Sequence, residues 1–241
     1  MLTMPTVSYE MMLFAFIPSV AVFIFMRSWS LNVGQAMWAN ARMFIQLIAV
    51  GYVLTFVFET NNPILVCVIV VLMIVIATAI AIRPLKEKSS RRYLIALAAL
   101  AIPGMIILAI VTQLVVDLPR WFEPRFVVPI AGMIFANAMN TVSLAAERYE
   151  AELGRAQPYE HARNIAMDAA MIPQINALLA VGLVSLPGMM TGQILSGVEP
   201  LVAVKYQIVV MCMIFSSAGL GAIVYLIGMA SQAKRPSPAS T

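Results

Sequence analysis

The run TNNPILVCVIVVLMIVIATAIAI, residues 60–82, contains no charged side chain and is almost wholly apolar. A helix needs about 20 consecutive apolar residues to cross the hydrocarbon core of a bilayer, and a charge at its centre costs roughly 2.5–3.5 kcal/mol. Six further runs also lack Asp, Glu, Lys and Arg: residues 11–26, 43–58, 93–116, 126–146, 169–198 and 206–233. The sequence therefore predicts an all-α polytopic membrane protein with about seven transmembrane helices.

The composition excludes an ordinary water-soluble domain, because 62% of the residues are hydrophobic and only 11% are charged. The 15 Lys and Arg residues are spread between apolar runs. We therefore expect a lipid bilayer, and no nucleic acid, as a partner. Cys67 and Cys212 lie inside apolar runs, which is typical of packing residues. We expect one transmembrane domain over residues 1–233 and a disordered tail, rich in Ser and Pro, over residues 234–241.

Basic residues are distributed unequally between the two ends of the predicted spans. If the N-terminus lies outside, 12 of the 15 fall in inner segments, and only Arg120, Arg125 and Lys205 fall outside. The inner set is Arg27, Arg42, Arg83, Lys86, Lys88, Arg91, Arg92, Arg148, Arg155, Arg163, Lys234 and Arg235. Because inner loops of membrane proteins are enriched in Lys and Arg, the sequence predicts an N-out, C-in orientation.

Residues 31–45 place apolar side chains at roughly helical spacing, with Asn, Gln and Arg between them. Two interpretations remain open. The stretch is either an amphipathic helix on the inner membrane surface or an inward extension of the second span.

A strongly charged segment, ERYEAELGRAQPYEHARNI, residues 147–165, separates the fifth and sixth predicted spans. Gly154 suits the end of one helix, Pro158 suits the first position of another, and Glu160 then falls in a first turn, where negative charge is favourable. The pattern predicts a helix–turn–helix in water. It is either a simple solvated connection or a rigid lever that a separate motor subunit moves. The lever residues would be Tyr149, Glu150, Leu153, Gly154, Arg155, Pro158, Tyr159 and Glu160.

A second unusual segment, GLVSLPGMMTGQILSGVEP, residues 182–200, concentrates Gly and Pro at the outer end of the sixth predicted span. Membranes accept irregular backbone only where it is buried in protein or lines a polar cavity, so we expect a break followed by a turn or re-entrant piece. Candidate residues of a substrate pathway are Asn137, Asn140, Asn176, Gln193, Glu199 and Gln207. Met189 and Met190 add thioethers that suit a soft metal. Ordinary contacts between helices and packing remain the alternative.

Two segments resemble a known family. The runs NALLAVGLVSLPGMMTGQILSGVEPLVAVKYQIVVM, residues 176–211, and PIAGMIFANAMNTVSLAAER, residues 129–148, are similar to the FetB-type iron-export ABC permeases, which include plant permeases linked to aluminium tolerance. The resemblance implies a plasma-membrane permease, which is an inner-membrane protein if the source is Gram-negative. It also implies a homodimeric or pseudo-dimeric pore that exports iron or a related metal and works with two cytosolic ATPase subunits.

The chain carries no G-x-x-x-x-G-K-[ST] loop, which is the sequence signature of a nucleotide-binding P-loop. We therefore expect no enzymatic activity and no intrinsic cofactor, with ATP and Mg²⁺ bound by the partner ATPase. The alternative function is an ATP-independent secondary transporter or channel for a small solute. Such a transporter usually needs ionisable residues within the membrane, and the predicted spans contain almost none.

Overall fold

The computed structural model describes residues 8–59 and 62–233, which are predominantly helical and form no β-strand. The helices are α1 (Tyr9–Phe14), α2 (Ile17–Ser28), α3 (Val33–Glu59), α4 (Pro63–Ala81), α5 (Ser90–Ala109), α6 (Pro124–Gly154), α7 (Tyr159–Ala180), α8 (Gly188–Leu195) and α9 (Pro200–Ala233). A π-helical segment, Ile110–Val115, directly follows α5. The tail that the sequence predicts to be disordered, residues 234–241, lies outside the described residues.

Helices α1–α3 belong to one compact unit and α4–α9 to a second. In the first unit, the Ser8 side chain accepts a hydrogen bond from the Met11 backbone N–H and caps α1. Phe16 and Phe44 pack edge to face across α2 and α3, with their ring centroids 6.2 Å apart. Helix α3 runs without interruption from Val33, so the structure favours the interpretation of residues 31–45 as an extension of the second span.

In the second unit, α6 is the central helix and packs against α4, α5, α7 and α9. Alanines at its contacts allow close approach of the backbones, and Ala131, Ala138 and Ala145 are essentially inaccessible. At Gly104 of α5, an added Cβ would collide with the Phe135 ring of α6. Small residues therefore determine how tightly α5 and α6 pack.

Six helical segments are long and apolar enough to cross a membrane: Glu10–Ser28, Val33–Glu59, Pro63–Ala81, Ser90–Val115, Pro124–Gly154 and Pro200–Ala230. This count applies to the described residues, and α7 is absent from it. The first half of α7 carries Glu160, Arg163 and Asp168, so its apolar part is shorter than a bilayer requires. The polytopic all-helical architecture is thus established, while the sixth predicted span, residues 169–198, is divided between α7, a break and α8.

The two segments singled out in the sequence have the local forms that their Gly and Pro residues predict. Helix α6 ends at Gly154 and α7 begins at Tyr159, with Glu160 in its first turn. Pro158 is the N-cap of α7 rather than its first residue, and the left-handed residue of the turn is Ala156, with φ of 59°, rather than Gly154. The other segment breaks after Ala180, and α8 begins at Gly188.

Candidate coupling hairpin and membrane cavity

The charged hairpin, residues 147–165, is attached to the helix bundle by two tyrosines. Tyr149 is only 1% exposed, and its ring meets that of Tyr159 edge to face at 6.1 Å. The Tyr159 hydroxyl donates a hydrogen bond to the Leu226 carbonyl oxygen of α9 at 3.0 Å. The hairpin is therefore fixed to α9 by aromatic packing and a specific hydrogen bond.

A second attachment joins the hairpin to the start of α5. The Arg92 guanidinium donates to a Glu150 carboxylate oxygen at 2.9 Å, and the Lys86 backbone N–H donates to the other oxygen at 3.2 Å. Arg92 also contacts the Glu87 carboxylate at 3.2 Å and its carbonyl oxygen at 2.9 Å. Glu150 therefore links the hairpin to the segment that connects α4 and α5.

A third ionic contact lies within the hairpin. The Glu152 side chain is buried, and one of its carboxylate oxygens accepts from Arg148 at 2.9 Å and from Arg155 at 2.8 Å. A buried carboxylate is tolerated when such partners compensate for its lost hydration. The sequence analysis did not select Glu152 or Arg148, although an (i, i+4) arrangement of Arg and Glu is a recognisable signal for a helical ion pair.

The lever residues proposed from the sequence differ in accessibility. Gly154, Arg155, Pro158 and Glu160 are exposed, whereas Glu150, Leu153 and Tyr159 are half-buried. Tyr149 is buried and therefore does not offer its ring to a separate chain, which corrects the interpretation of this residue as an apolar contact for a partner. The surface available to a partner lies around the turn itself.

The candidate pathway residues differ in exposure. Asn140, Asn176 and Glu199 are exposed, and the Asn137 amide donates to the Met133 carbonyl oxygen of its own helix at 2.9 Å. Gln207 is 5% exposed, and its amide oxygen has no hydrogen-bond partner among the described residues.

One buried polar contact that the sequence analysis missed joins α6 to α7. The Gln174 amide donates to the Thr141 hydroxyl at 3.0 Å, and both side chains are buried. Hydrogen bonds between transmembrane helices stabilise their association because lipid offers no alternative partner. The sequence does contain a signal for this contact, because each of two consecutive apolar runs includes a buried-type polar residue. The spacing of these residues along the chain does not show, however, that they pair with each other.

Met189 and Gln193 line a cavity of about 580 Å³ between the π-helical segment, α6, α8 and α9. Arg125, Met133, Tyr206 and Met213 line it too, whereas Met190 and the other candidate pathway residues do not. The Gln193 amide oxygen is buried without a hydrogen-bond partner among the described residues. Residues 8–59 and 62–233 contain no group of three or more His, Cys, Asp or Glu side chains that could hold a metal ion.

The apolar helices and the charged hairpin define an integral membrane protein of the polytopic α-helical class. The chain belongs to a family described as "Uncharacterised protein family (UPF0014)", whose model matches residues 9–159 and 154–233. The resemblance in the sequence is thereby confirmed, because the relatives of this chain include one that is named as a permease.

Three relatives illustrate the range of the family. "UPF0014 membrane protein slr1647" of Synechocystis is 34% identical over 79% of this chain and 79% of its own length. "Probable iron export permease protein FetB" of Escherichia coli is 34% identical over 78% of this chain and 77% of its own length. "Protein ALUMINUM SENSITIVE 3" of Arabidopsis thaliana is 29% identical over 79% of this chain and 74% of its own length. No solved structure matches the chain.

Proposed function

We propose that the chain is the membrane-spanning permease subunit of an ABC transporter, which exports iron or a related metal and is driven by a separate cytosolic ATPase. The substrate and the direction are carried over from the relative named "Probable iron export permease protein FetB". The chain itself supplies the membrane path and a lever, and the partner supplies ATP hydrolysis.

The observation that supports this proposal is the rigid attachment of the hairpin to several transmembrane helices. Its two arms are continuous with α6 and α7, and it is fixed to α9 through Tyr159 and to the start of α5 through Glu150. Because packed helices transmit displacement while a loose loop absorbs it, a force applied at the turn would move these helices together. A simple solvated connection would not need these attachments.

In the proposed cycle, binding of ATP and Mg²⁺ closes two ATPase subunits, which displace the turns of two permease copies in a homodimer. The helices then change from an inward-open to an outward-open arrangement. The exposed Asn140 and Asn176 amides supply polar groups along α6 and α7, and Asn137 extends this set. Glu199 lies before α9, where a negative charge would attract a released cation.

The test uses the full chain, coexpressed with a candidate ABC ATPase from the same organism, purified and reconstituted in liposomes. Glu160→Arg reverses an exposed charge at the turn, and Lys205→Glu is the control, an exposed charge reversal at the opposite end of the second unit. We expect Glu160→Arg to reduce the stimulation of ATP hydrolysis by Fe²⁺ severalfold, whereas Lys205→Glu retains it. The proposal fails if both variants retain full stimulation, and transport without any ATPase would support the secondary transporter or channel instead.

A further inference from the structure

We infer that the cavity between α6, α8 and α9 binds one anionic phospholipid of the bilayer, with the phosphate at Arg125 and an acyl chain along the apolar wall. This site is separate from the coupling hairpin, and lipid binding to it does not require the ATPase.

The wall of the cavity suits a hydrocarbon chain. It is formed mainly by apolar side chains, among them Phe126, Ile130, Val202, Val209 and Met213. Phe126 and Val202 are exposed, so the cavity opens at the surface of the second unit. Its volume of about 580 Å³ lies within the range of small-molecule sites, roughly 300–1,000 Å³. A bare metal ion would gain nothing from such a wall, whereas an acyl chain fills it.

The charge of the side chains that line the cavity determines the charge of the ligand that it favours. Among the described residues, Arg125 is the one charged side chain that lines the cavity. It is exposed and makes no ion pair within residues 8–59 and 62–233. Glu123 and Glu199 lie at neighbouring helix ends but do not line the cavity. An unpaired guanidinium attracts a phosphate, with which it forms two parallel hydrogen bonds, and it opposes entry of a free cation.

The position of Arg125 matches the depth of a lipid headgroup. It is the second residue of α6, which has 31 residues and ends in the charged hairpin. At a rise of 1.5 Å per residue, Arg125 lies roughly 45 Å along the helix from the turn, a separation comparable to the full thickness of a bilayer. The phosphate would therefore belong to a lipid of the leaflet opposite the hairpin.

Phosphatidylglycerol fits both features of the cavity. It has an anionic phosphate for Arg125 and acyl chains for the apolar wall. Gln193 also lines the cavity, but its amide oxygen is buried, so the headgroup does not depend on it.

The experiment compares binding of phosphatidylglycerol and phosphatidylcholine to the purified full chain, measured by native mass spectrometry from mixed micelles. A basic group near a membrane surface contributes about 1 kcal/mol to anionic lipid binding, which corresponds to about a fivefold preference for phosphatidylglycerol. We expect Arg125→Gln to abolish the preference and Arg125→Lys to retain most of it. Lys205→Gln removes an exposed charge from the same end of the second unit without touching the cavity, and it should leave the preference unchanged.

A further variant keeps the inference testable if Arg125→Gln does not fold. Val202→Trp fills the cavity and should reduce binding of both lipids. Equal binding of the two lipids by the parent protein would overturn the inference, as would equal losses in Arg125→Gln and Lys205→Gln. It would also be overturned by Ag⁺ binding that Met189→Ala abolishes and Arg125→Gln leaves intact, because the cavity would then be a thioether metal site.

Discussion

The Tyr159 hydroxyl and the Leu226 carbonyl oxygen are 3.0 Å apart, and their hydrogen bond joins the first residue of α7 to the last third of α9. These residues are far apart in the chain, so the contact exists only when the helices are assembled. The Tyr159 ring is held on one side by Tyr149, and the Arg163 guanidinium lies 5.6 Å from its centroid. Tyr159 therefore holds α7 against α9 and is not a free side chain for docking of a partner.

Replacement of Tyr159 by Phe removes the hydroxyl but keeps the ring. We expect a loss of about 0.5–1.5 kcal/mol in the free energy of unfolding, which is the usual net contribution of one hydrogen bond. The measurement is thermal unfolding in detergent. Tyr52→Phe is the matched control because Tyr52 is 75% exposed. A Tyr159→Phe protein as stable as the Tyr52→Phe protein would show that the hydrogen bond contributes nothing.

The ion pair between Arg92 and Glu150 allows a double-mutant cycle. Their side chains are only 12% and 24% exposed, so water screens the pair less than it screens Glu87, which is 81% exposed. With Arg92→Gln, Glu150→Gln and the double variant, we expect a coupling energy of about 1–2 kcal/mol, within the range for residues in contact. Glu87→Gln should lower the free energy of unfolding by less than about 1 kcal/mol, because exposed ion pairs contribute little to stability. A coupling energy near zero would remove Glu150 as an attachment point.

The hydrogen bond between Gln174 and Thr141 tests the contact of α6 with α7 in the second unit. We expect Gln174→Leu and Thr141→Val to show a coupling energy of about 0.6 kcal/mol, with an upper limit near 1.7 kcal/mol. Asn40→Leu is the control because its amide bonds the carbonyl oxygen of Ala36 in the same helix, α3. Its effect should be independent of Thr141→Val, and coupling between those two variants would contradict this arrangement.

Hydropathy was sufficient to predict the architecture, because a bilayer requires long apolar helices with internally satisfied backbones. The hairpin turn was likewise accessible from the sequence, since Gly154 and Pro158 act locally on the backbone. The sixth predicted span is different. Helix α7 begins at Tyr159, before the charge-free run, and ends at Ala180, within it, so residues 169–198 do not coincide with one helix.

The attachments of the hairpin and the walls of the cavity depend on tertiary packing and could not be derived from local patterns. Arg92 and Glu150 are 58 residues apart, and neither residue type indicates its partner. Burial of Tyr149 similarly depends on how α6 meets its neighbours, which is why an aromatic residue in a charged segment was interpreted as a docking side chain. Met133 and Met213 join Met189 at the cavity only because three helices converge there.

The contact between Gly104 and Phe135 provides the sharpest test of the packing in the second unit. An alanine Cβ at position 104 would collide with the Phe135 ring, which is 1% exposed and would have to shift within the core. Overpacking of this kind costs about 1–3 kcal/mol, which exceeds the gain of about 1 kcal/mol that replacing Gly by Ala brings inside a helix. We therefore expect Gly104→Ala to lower the melting temperature.

Gly51→Ala is the matched control, because Gly51 also lies within a long apolar helix and an added Cβ meets nothing within 4 Å. It should leave the melting temperature unchanged or raise it slightly. Phe135→Leu removes the ring that Gly104→Ala would strike, so the double variant should be more stable than the sum of the two single effects predicts. Two results together would show that α5 and α6 do not approach each other at this point. The effects of Gly104→Ala and Phe135→Leu on stability would be additive, and Gly104→Ala would change the melting temperature no more than Gly51→Ala does.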